Sequence, residues 1–531
     1  MLRKFRIVAA AMCFVLITLL FLDFTGTLHA WFGWLAKIQF LPAILAMNVG
    51  VVLFLVVATL LFGRLYCSVI CPLGVMQDIF SHFAGKRKKN RFSYSPAKSW
   101  LRYGVLAVFI ATMVAGFGAI ALLVAPYSAF GRIAHNLFAP IWAWGNNLLA
   151  WVAERVDSYA FYSTEVWIGS WATFAVAAVT LIVVGYLAWR GGRTYCNTIC
   201  PVGTVLGVLS RFSLFKPVID TSKCIDCKRC GRNCKASCID VENHSIDYSR
   251  CVVCFNCIEN CSKGAISYTL RTKSNAKKEE APADKSRKNF IVGTALLAAS
   301  AAKAQEMKVD GGYATIIDKQ APNRKQPLTP PGSWSARNMA AHCTGCQLCV
   351  SACPTDVLRP SADLKTFMQP TMSYERGYCR PECNKCSQVC PAGAIQPVSV
   401  EEKSSIRIGH AVWVRKNCIV ITDEVECGNC ERHCPSSAIT MVPLDKENRR
   451  SRKIPTINKH RCIGCGACEN LCPARPFSAI YVKGFFRTQN SIILPLWIRK
   501  IIILVVASSS HVWERARHLR LRHSQAASLQ T

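Results

Sequence analysis

Of the thirty cysteines in this chain, twenty-four fall into six quartets, and their spacing is the first chemical signal. Cys224, Cys227, Cys230 and Cys234 read C-x2-C-x2-C-x3-C, and Cys251, Cys254, Cys257 and Cys261 repeat the pattern. A tight turn of this kind lets three thiolates converge on one [4Fe-4S] cubane while the fourth serves a neighbouring cluster. The expected sets are Cys224, Cys227, Cys230 with Cys261, and Cys251, Cys254, Cys257 with Cys234. Four further quartets follow: Cys343, Cys346, Cys349, Cys353; Cys379, Cys383, Cys386, Cys390; Cys418, Cys427, Cys430, Cys434; and Cys462, Cys465, Cys468, Cys472. Each of these four ends in Cys-Pro, whereas Lys235 and Ser262 take the proline's place in the first two. Six 4Fe-4S clusters are therefore expected, with these cysteines binding the iron. Structural zinc usually joins two separated pairs, a poorer fit to runs of this kind. Dispersed disulfides do not cluster so tightly, and no C-x-x-C-H is present for covalent haem.

A second set of cysteines sits in a duplicated motif. RLYCSVICPLGV at 64–75 returns as RTYCNTICPVGT at 193–204, with seven of twelve positions identical. If the helix continues through each copy, Cys67 and Cys71 lie one turn apart, and the repeat brings Cys196 and Cys200 opposite them. The four are candidates for an additional metal centre or a redox dithiol, set against a structural or docking role. Cys13 reads as an inert packing residue, and Cys238 is an extra. His29, His82 and His135 are isolated interfacial histidines, more often neither haem nor quinone ligands.

These residues must be held by something, and 531 residues imply several units rather than one. Hydrophobic residues form 51% of the chain while Lys and Arg exceed Asp and Glu by 33, so apolar and basic stretches are segregated. The run 7–22, preceded by Arg3, Lys4 and Arg6, fits a signal peptide or a first transmembrane helix, and apolar runs at about 42–63, 101–125 and 169–189, each long enough to span, decide for the helix. The 64–102 stretch is rich in Lys and Arg whereas 127–168 carries only Arg132 and Arg155, which places 64–102 and the residues just after 190 in the cytoplasm. Trp31, Trp34, Trp142, Trp144, Trp151 and Trp167 on the other side suit an aromatic belt. This distribution explains the basic excess by membrane orientation, and no nucleic-acid partner is expected.

The expected fold is an α-helical membrane module of four transmembrane helices plus two small α+β ferredoxin-like 4Fe-4S domains. Residues 1–211 form the membrane domain and 212–270 a two-cluster ferredoxin domain. Residues 271–304 are a polar linker and a signal or anchor segment. There, Arg287 and Lys288 precede the apolar run 291–302, in the manner of a twin-arginine signal with Lys for the second Arg. Residues 305–484 form the four-cluster domain. The tail 485–531 is apolar and basic, interrupted by Pro495, Arg499 and Lys500.

Taken together, the four spans, the twin C-x3-C-P motifs and the paired ferredoxin motifs resemble a NapH-type membrane quinol dehydrogenase over about 1–270. The signal-like start, PPGS at 330–333, the ordered quartets and CIGCGACENLCP at 462–473 resemble a NapG-type ferredoxin over about 286–484. The chain is thus similar to a fusion of the two. Four-quartet ferredoxins commonly share ligands between first and fourth and between second and third quartets, so the resemblance implies that arrangement here. It also implies a multi-pass protein of the bacterial inner membrane; export at the signal-like segment would leave 212–270 cytoplasmic and 305–484 periplasmic, whereas retention would leave both domains inside. The implied donor is a quinol, menaquinol above all, drawn from the quinone pool in the lipid. The implied partner is a redox protein, a multihaem cytochrome or a respiratory reductase of the periplasmic nitrate reductase kind. The chain would then be a quinol dehydrogenase or electron-transfer subunit rather than a stand-alone enzyme. The alternative is a redox-sensing or metal-reducing accessory protein that serves the maturation or regulation of another metalloenzyme.

Overall fold

The computed structural model describes residues 1–270 apart from 24–25, 86–91, 116–117 and 159–160, and residues 317–489 apart from 325, 365 and 446. The expected linker and signal segment at 271–304 lies outside the described residues, as does the tail from 490 onward. The second cluster module runs past 484, because its last strand is Ile480–Gln489.

Two helices of 21 residues, Leu2–Leu22 and Trp171–Gly191, are long and apolar enough to cross a membrane. At 1.5 Å per residue each spans about 31 Å, close to the hydrocarbon thickness of a bilayer. The other two expected spans are broken. In the 42–63 run, helix Phe40–Leu45 stops before Met47, whose φ is 51°, and a new helix runs Val49–Phe62. Asn48 caps that helix, its Oδ1 accepting from the Val51 N–H at 3.3 Å. In the 101–125 run, helix Ser99–Val114 gives way to Gly118–Val124. Gly118 opens the second helix, and glycine lowers helix propensity there. Helices of 14 and 16 residues reach only about 21 and 24 Å.

These helices leave apolar side chains pointing outward, among them Val49, Leu53, Phe54, Val108, Val114, Ile182 and Val183. Large apolar side chains exposed in this number on the helices suit a cover other than water. The interior is aromatic, with Phe14, Phe21, Tyr127 and Phe130 in edge or tilted contact around the wholly buried helix Pro126–Ile133. That helix continues through a π-turn, Ala134–Phe138, into the outward-facing helix Ala139–Glu154.

The two cysteine-rich modules attach to opposite ends of the long helices. At the start of Leu2–Leu22, Arg3 forms an ion pair with Glu259 of the first module. Near its end, Phe21 and the carbonyl of Cys346 in the second module both crowd Gly131. Helix Trp171–Gly191 runs the other way. At its start Thr173 donates to Asn136, which donates to Gln347 of the second module at 2.7 Å. Beyond its end the Arg193 N–H donates to the Lys235 carbonyl of the first module at 2.8 Å.

Each module is built from hairpins and one-turn helices. The first has Phe215–Ile219 antiparallel to Ile266–Leu270, and Ile239–Asp240 to Ser245–Ile246. The second pairs Leu358–Pro360 with Pro370–Met372, Arg407–Trp413 with Ile480–Gln489, and Ile439–Pro443 with Lys453–Ile457. The third cysteine of every quartet rides on a short helix: Arg229–Arg232, Asn256–Glu259, Leu348–Ser351, Lys385–Val389, Asn429–Arg432 and Ala467–Asn470.

Candidate iron-sulfur centres

The backbone around the quartets explains why these spacings gather thiols. In four quartets the middle cysteine is flanked by two residues in the left-handed region: Asp226 and Lys228, Val253 and Phe255, Gly345 and Gln347, Gly464 and Gly466. Alternating the hand of the backbone curls the loop around a centre and turns its N–H groups inward. Val253 pays for this most, since a β-branched residue at a φ of 51° is strained, and strain of that kind collects where function fixes the backbone. Three residues past the fourth cysteine another left-handed residue recurs, at Ser237, Gly264, Asp356, Gly393 and Ser437. Backbone donors then reach the sulfurs. Gly345 N–H points to Cys343 Sγ at 3.3 Å, Ala265 to Cys261 at 3.2 Å, Ala438 to Cys434 at 3.2 Å and Ala479 to Cys472 at 3.3 Å. Such donors stabilise thiolates, the form that binds iron.

In the first module the expected sets come together. Cys224, Cys227, Cys230 and Cys261 line one cavity, and Cys234, Cys251, Cys254 and Cys257 line another. Cys238, read as an extra, lies in the second of these with its sulfur 3.5 Å from that of Cys234.

The second module corrects the ligand sharing. Cys343, Cys346 and Cys349 have Cys390 as their electrostatic neighbour, and Cys379, Cys383 and Cys386 gather with Cys353. Cys418, Cys427 and Cys430 line a cavity with Cys472, while Cys462, Cys465 and Cys468 have Cys434 beside them. The first quartet exchanges its fourth cysteine with the second, and the third with the fourth, not first with fourth and second with third. The reason is packing: helices Leu348–Ser351 and Lys385–Val389 lie against each other, as do Asn429–Arg432 and Ala467–Asn470.

Without a cation these sets oppose themselves. Burial pushes Cys254 and Cys346 up to about 11 and Cys465 up to about 12, and the charge of neighbouring thiolates pushes the same way. Four converging thiols with inward N–H donors fit an iron-sulfur cluster, which relieves that repulsion. Lys403 adds positive charge beside the second quartet, its buried ammonium donating to the carbonyls of Arg380 and Cys383. Nothing in the local sequence pointed to it.

The duplicated motif folds the same way twice. A short helix, Leu65–Val69 or Thr194–Thr198, carries the first cysteine and then stops. Pro72 and Pro201 open the next helix, so Cys71 and Cys200 stand before its first turn rather than one turn along a continuous helix. A proline restricts its predecessor to extended backbone, which is why the expected continuous helix is absent. The four thiols nevertheless face one another, with Cys71 and Cys200 each having thiols of both copies as electrostatic neighbours. The copies are also cross-braced. Arg64 Nη2 donates to the Cys196 carbonyl at 3.2 Å, and Arg193 Nη1 donates to the Cys67 carbonyl at 2.6 Å. Gln77 Nε2 reaches Cys196 Sγ at 3.2 Å, and Gly203 N–H reaches Cys200 Sγ at 3.3 Å. Arg64 Nε, Arg193 Nη2 and Gln77 Oε1 are buried without a hydrogen-bond partner among the described residues. Arg64, Arg193, Gly74 and Gly203 were visible as retained positions of the repeat, but their part in this cage was not. Cys13 stands apart from it, half-buried on the first helix.

Comparison with known proteins follows the same division. A 4Fe-4S binding domain matches residues 44–90 and 171–219, which include both C-x3-C-P pairs. A 4Fe-4S dicluster domain matches 342–413 and 425–475; the first match holds quartets one and two of the second module. The methylamine utilization ferredoxin-type protein MauM of Methylophilus methylotrophus is 31% identical over 162 residues, 30% of this chain and 71% of that protein. The ferredoxin-type protein NapG of Escherichia coli is 34% identical over 153 residues, 27% of this chain and 65% of the relative. NapF of the same organism is 27% identical over 179 residues, 33% of this chain and 98% of that protein. No solved structure matches.

Proposed function

This chain belongs to the ferredoxin-type 4Fe-4S proteins, as an iron-sulfur electron-transfer protein related to the Nap and Mau members, and from that premise we propose that it carries electrons from quinol across a membrane. The observation that carries the reading is the attachment of two cluster modules to opposite ends of two 21-residue apolar helices. The four apolar stretches form a NapH-like membrane module, the first cluster module faces the cytoplasm, and the second faces the periplasm. Menaquinol is the donor, and a respiratory reductase or multihaem cytochrome on the periplasmic side is the acceptor.

The chain's own residues have defined tasks. The twenty-four quartet cysteines hold six clusters, and Cys67, Cys71, Cys196 and Cys200 hold a further metal centre between the two copies of the repeat. Bound clusters supply one-electron steps, which a two-electron donor such as a quinol needs in order to feed a chain of single carriers. Arg64 and Arg193 balance thiolate charge in the membrane cage, and inward N–H groups do so in the modules.

The test is anaerobic addition of a short-chain naphthoquinol to the full-length, cluster-loaded protein in nanodiscs. Bleaching of the visible cluster absorbance is the expected result. Absorbance that dithionite bleaches and quinol leaves untouched would turn the reading toward a sensor or a metal-reducing accessory protein.

A further inference from the structure

A cavity of about 440 Å³ opens where the outward-facing helix Ala139–Glu154 meets the second module. Its walls combine apolar and aromatic side chains, Phe21, Ala143, Trp142, Trp167 and Val350 among them, with the polar groups of Asn136, Thr164 and Asp356. Its polar end is formed by His135 and Ser351. His135 sits on the π-turn Ala134–Phe138, a local widening of the helix that is frequent at functional sites. Its Nδ1 is held at 2.8 Å from Ser351 Oγ, and its Nε2 makes no hydrogen bond to protein among the described residues. Ser351 lies in the chain between Cys349 and Cys353, and Cys353 itself lines the cavity, so this polar end abuts a cysteine quartet.

Two features tell what kind of molecule fits. Helix Ala139–Glu154 carries Trp142 at the cavity and continues into Ile141, Trp144 and Leu148, which are 70%, 71% and 62% exposed. An apolar surface thus leads to the cavity, as a ligand with an isoprenoid tail requires. Glu165 also lines the cavity, and it pairs with Arg376 at 3.1 Å while remaining largely exposed, which gives the same chamber a polar outlet. A flat ring between aromatic walls, with one hydroxyl toward a histidine and a tail along an apolar face, matches both.

We propose that this cavity binds the headgroup of a hydroquinone, with His135 Nε2 accepting a hydrogen bond from one ring hydroxyl and the tail lying along helix Ala139–Glu154. The inference rests on the quinol-oxidising reading and gives that reading a site. Oxidation of the hydroquinone to the quinone breaks two O–H bonds and releases two protons and two electrons. His135 Nε2 would take one proton and solvent at the exposed Glu165 side the other, while the two electrons would leave one at a time to the clusters that the adjoining quartets would hold. His29 and His82 have no such setting: His29 is bonded to Asp23 at 3.2 Å, and His82 lies against the ring of Phe83.

The test measures binding rather than turnover. Full-length protein in nanodiscs is titrated with menaquinone-4 and, separately, photolabelled with an azido-naphthoquinone whose adducts are mapped by mass spectrometry. We expect one quinone per chain, with adducts within 135–143, 162–169 or 350–356. Ala143→Trp, which fills the chamber, should weaken binding more than tenfold, and His135→Gln should weaken it about tenfold, the equivalent of one hydrogen bond. Both variants should retain wild-type cluster absorbance. Adducts confined to the separate apolar groove of Trp100, Val108 and Phe109, about 270 Å³, would overturn this site and leave the electron-carrier reading standing. Wild-type binding in both variants would do the same. A wild-type protein that binds no quinone would overturn both.

Discussion

Arg193 shows how much of this molecule rests on single buried side chains. It is fully buried, donates from Nε to Asp78 at 2.8 Å and braces the Cys67 carbonyl from Nη1. Asp78 also meets Arg6 at 3.0 Å and Lys235 at 3.6 Å, so one carboxylate ties the first helix, the repeat and the first cluster module together. Arg193→Gln leaves that carboxylate short of its best partner, and the expected cost is about 3–5 kcal/mol, read as a fall in the thermal midpoint of the detergent-solubilised protein. Glycine is needed at the mirrored positions 74 and 203 for a related reason. A Cβ on Gly203 would stand 2.2 Å from the Cys196 carbonyl and 2.9 Å from the Arg64 guanidinium; on Gly74 it would meet the Cys67 carbonyl at 2.4 Å and Arg193 at 2.6 Å. Gly203→Ala should therefore destabilise by roughly 1–3 kcal/mol. Because the crowding atoms belong to the cage, the substitution should also disturb any metal bound there, seen as a changed EPR signal. The sequence displayed these residues as repeated letters. It could not display their roles, because each arginine acts on the opposite copy of the motif.

At the scale of elements, the cysteine loops were the most legible part of the chain. The spacing picked out the twenty-four quartet thiols and grouped those of the first module into the two sets that line its two cavities. It could not name the exchange partners in the second, since that depends on which one-turn helices pack together. The exchange makes a prediction. Cys343→Ser with Cys390→Ser removes two ligands from one site and should cost one cluster, whereas Cys343→Ser with Cys472→Ser strikes two sites and should affect two. Iron and sulfide content per chain, with EPR of the remaining centres, separates these outcomes; equal losses in both double variants would refute the exchange. Hydrophobic runs were legible as runs but not as helices. Met47 and Asn48 interrupt one and Gly116 and Gly118 fall within another, and such breaks are decided by local backbone chemistry that a hydropathy window averages away. The proline of each C-x3-C-P pair was on view from the start, and its restriction on the preceding cysteine is what ends the short helix.

The whole molecule is arranged as two cluster modules separated by the length of an apolar helix. Helices Leu2–Leu22 and Trp171–Gly191 run in opposite directions, and each meets the first module at one end and the second module at the other. The basic and aromatic loops in the sequence implied such a polarity, but several of the contacts that realise it join residues more than 200 positions apart, such as Arg3 with Glu259 and His135 with Ser351. The central claim is that a membrane lies between the modules. The most direct measurement places a protease site after Leu364, an exposed position of the second module, or after Asn243, in the exposed turn of the first, and treats intact right-side-out spheroplasts with protease. Cleavage at Leu364 with protection at Asn243 until lysis is the predicted result. The same response at both positions would put the two modules on one side and contradict electron transfer across the membrane.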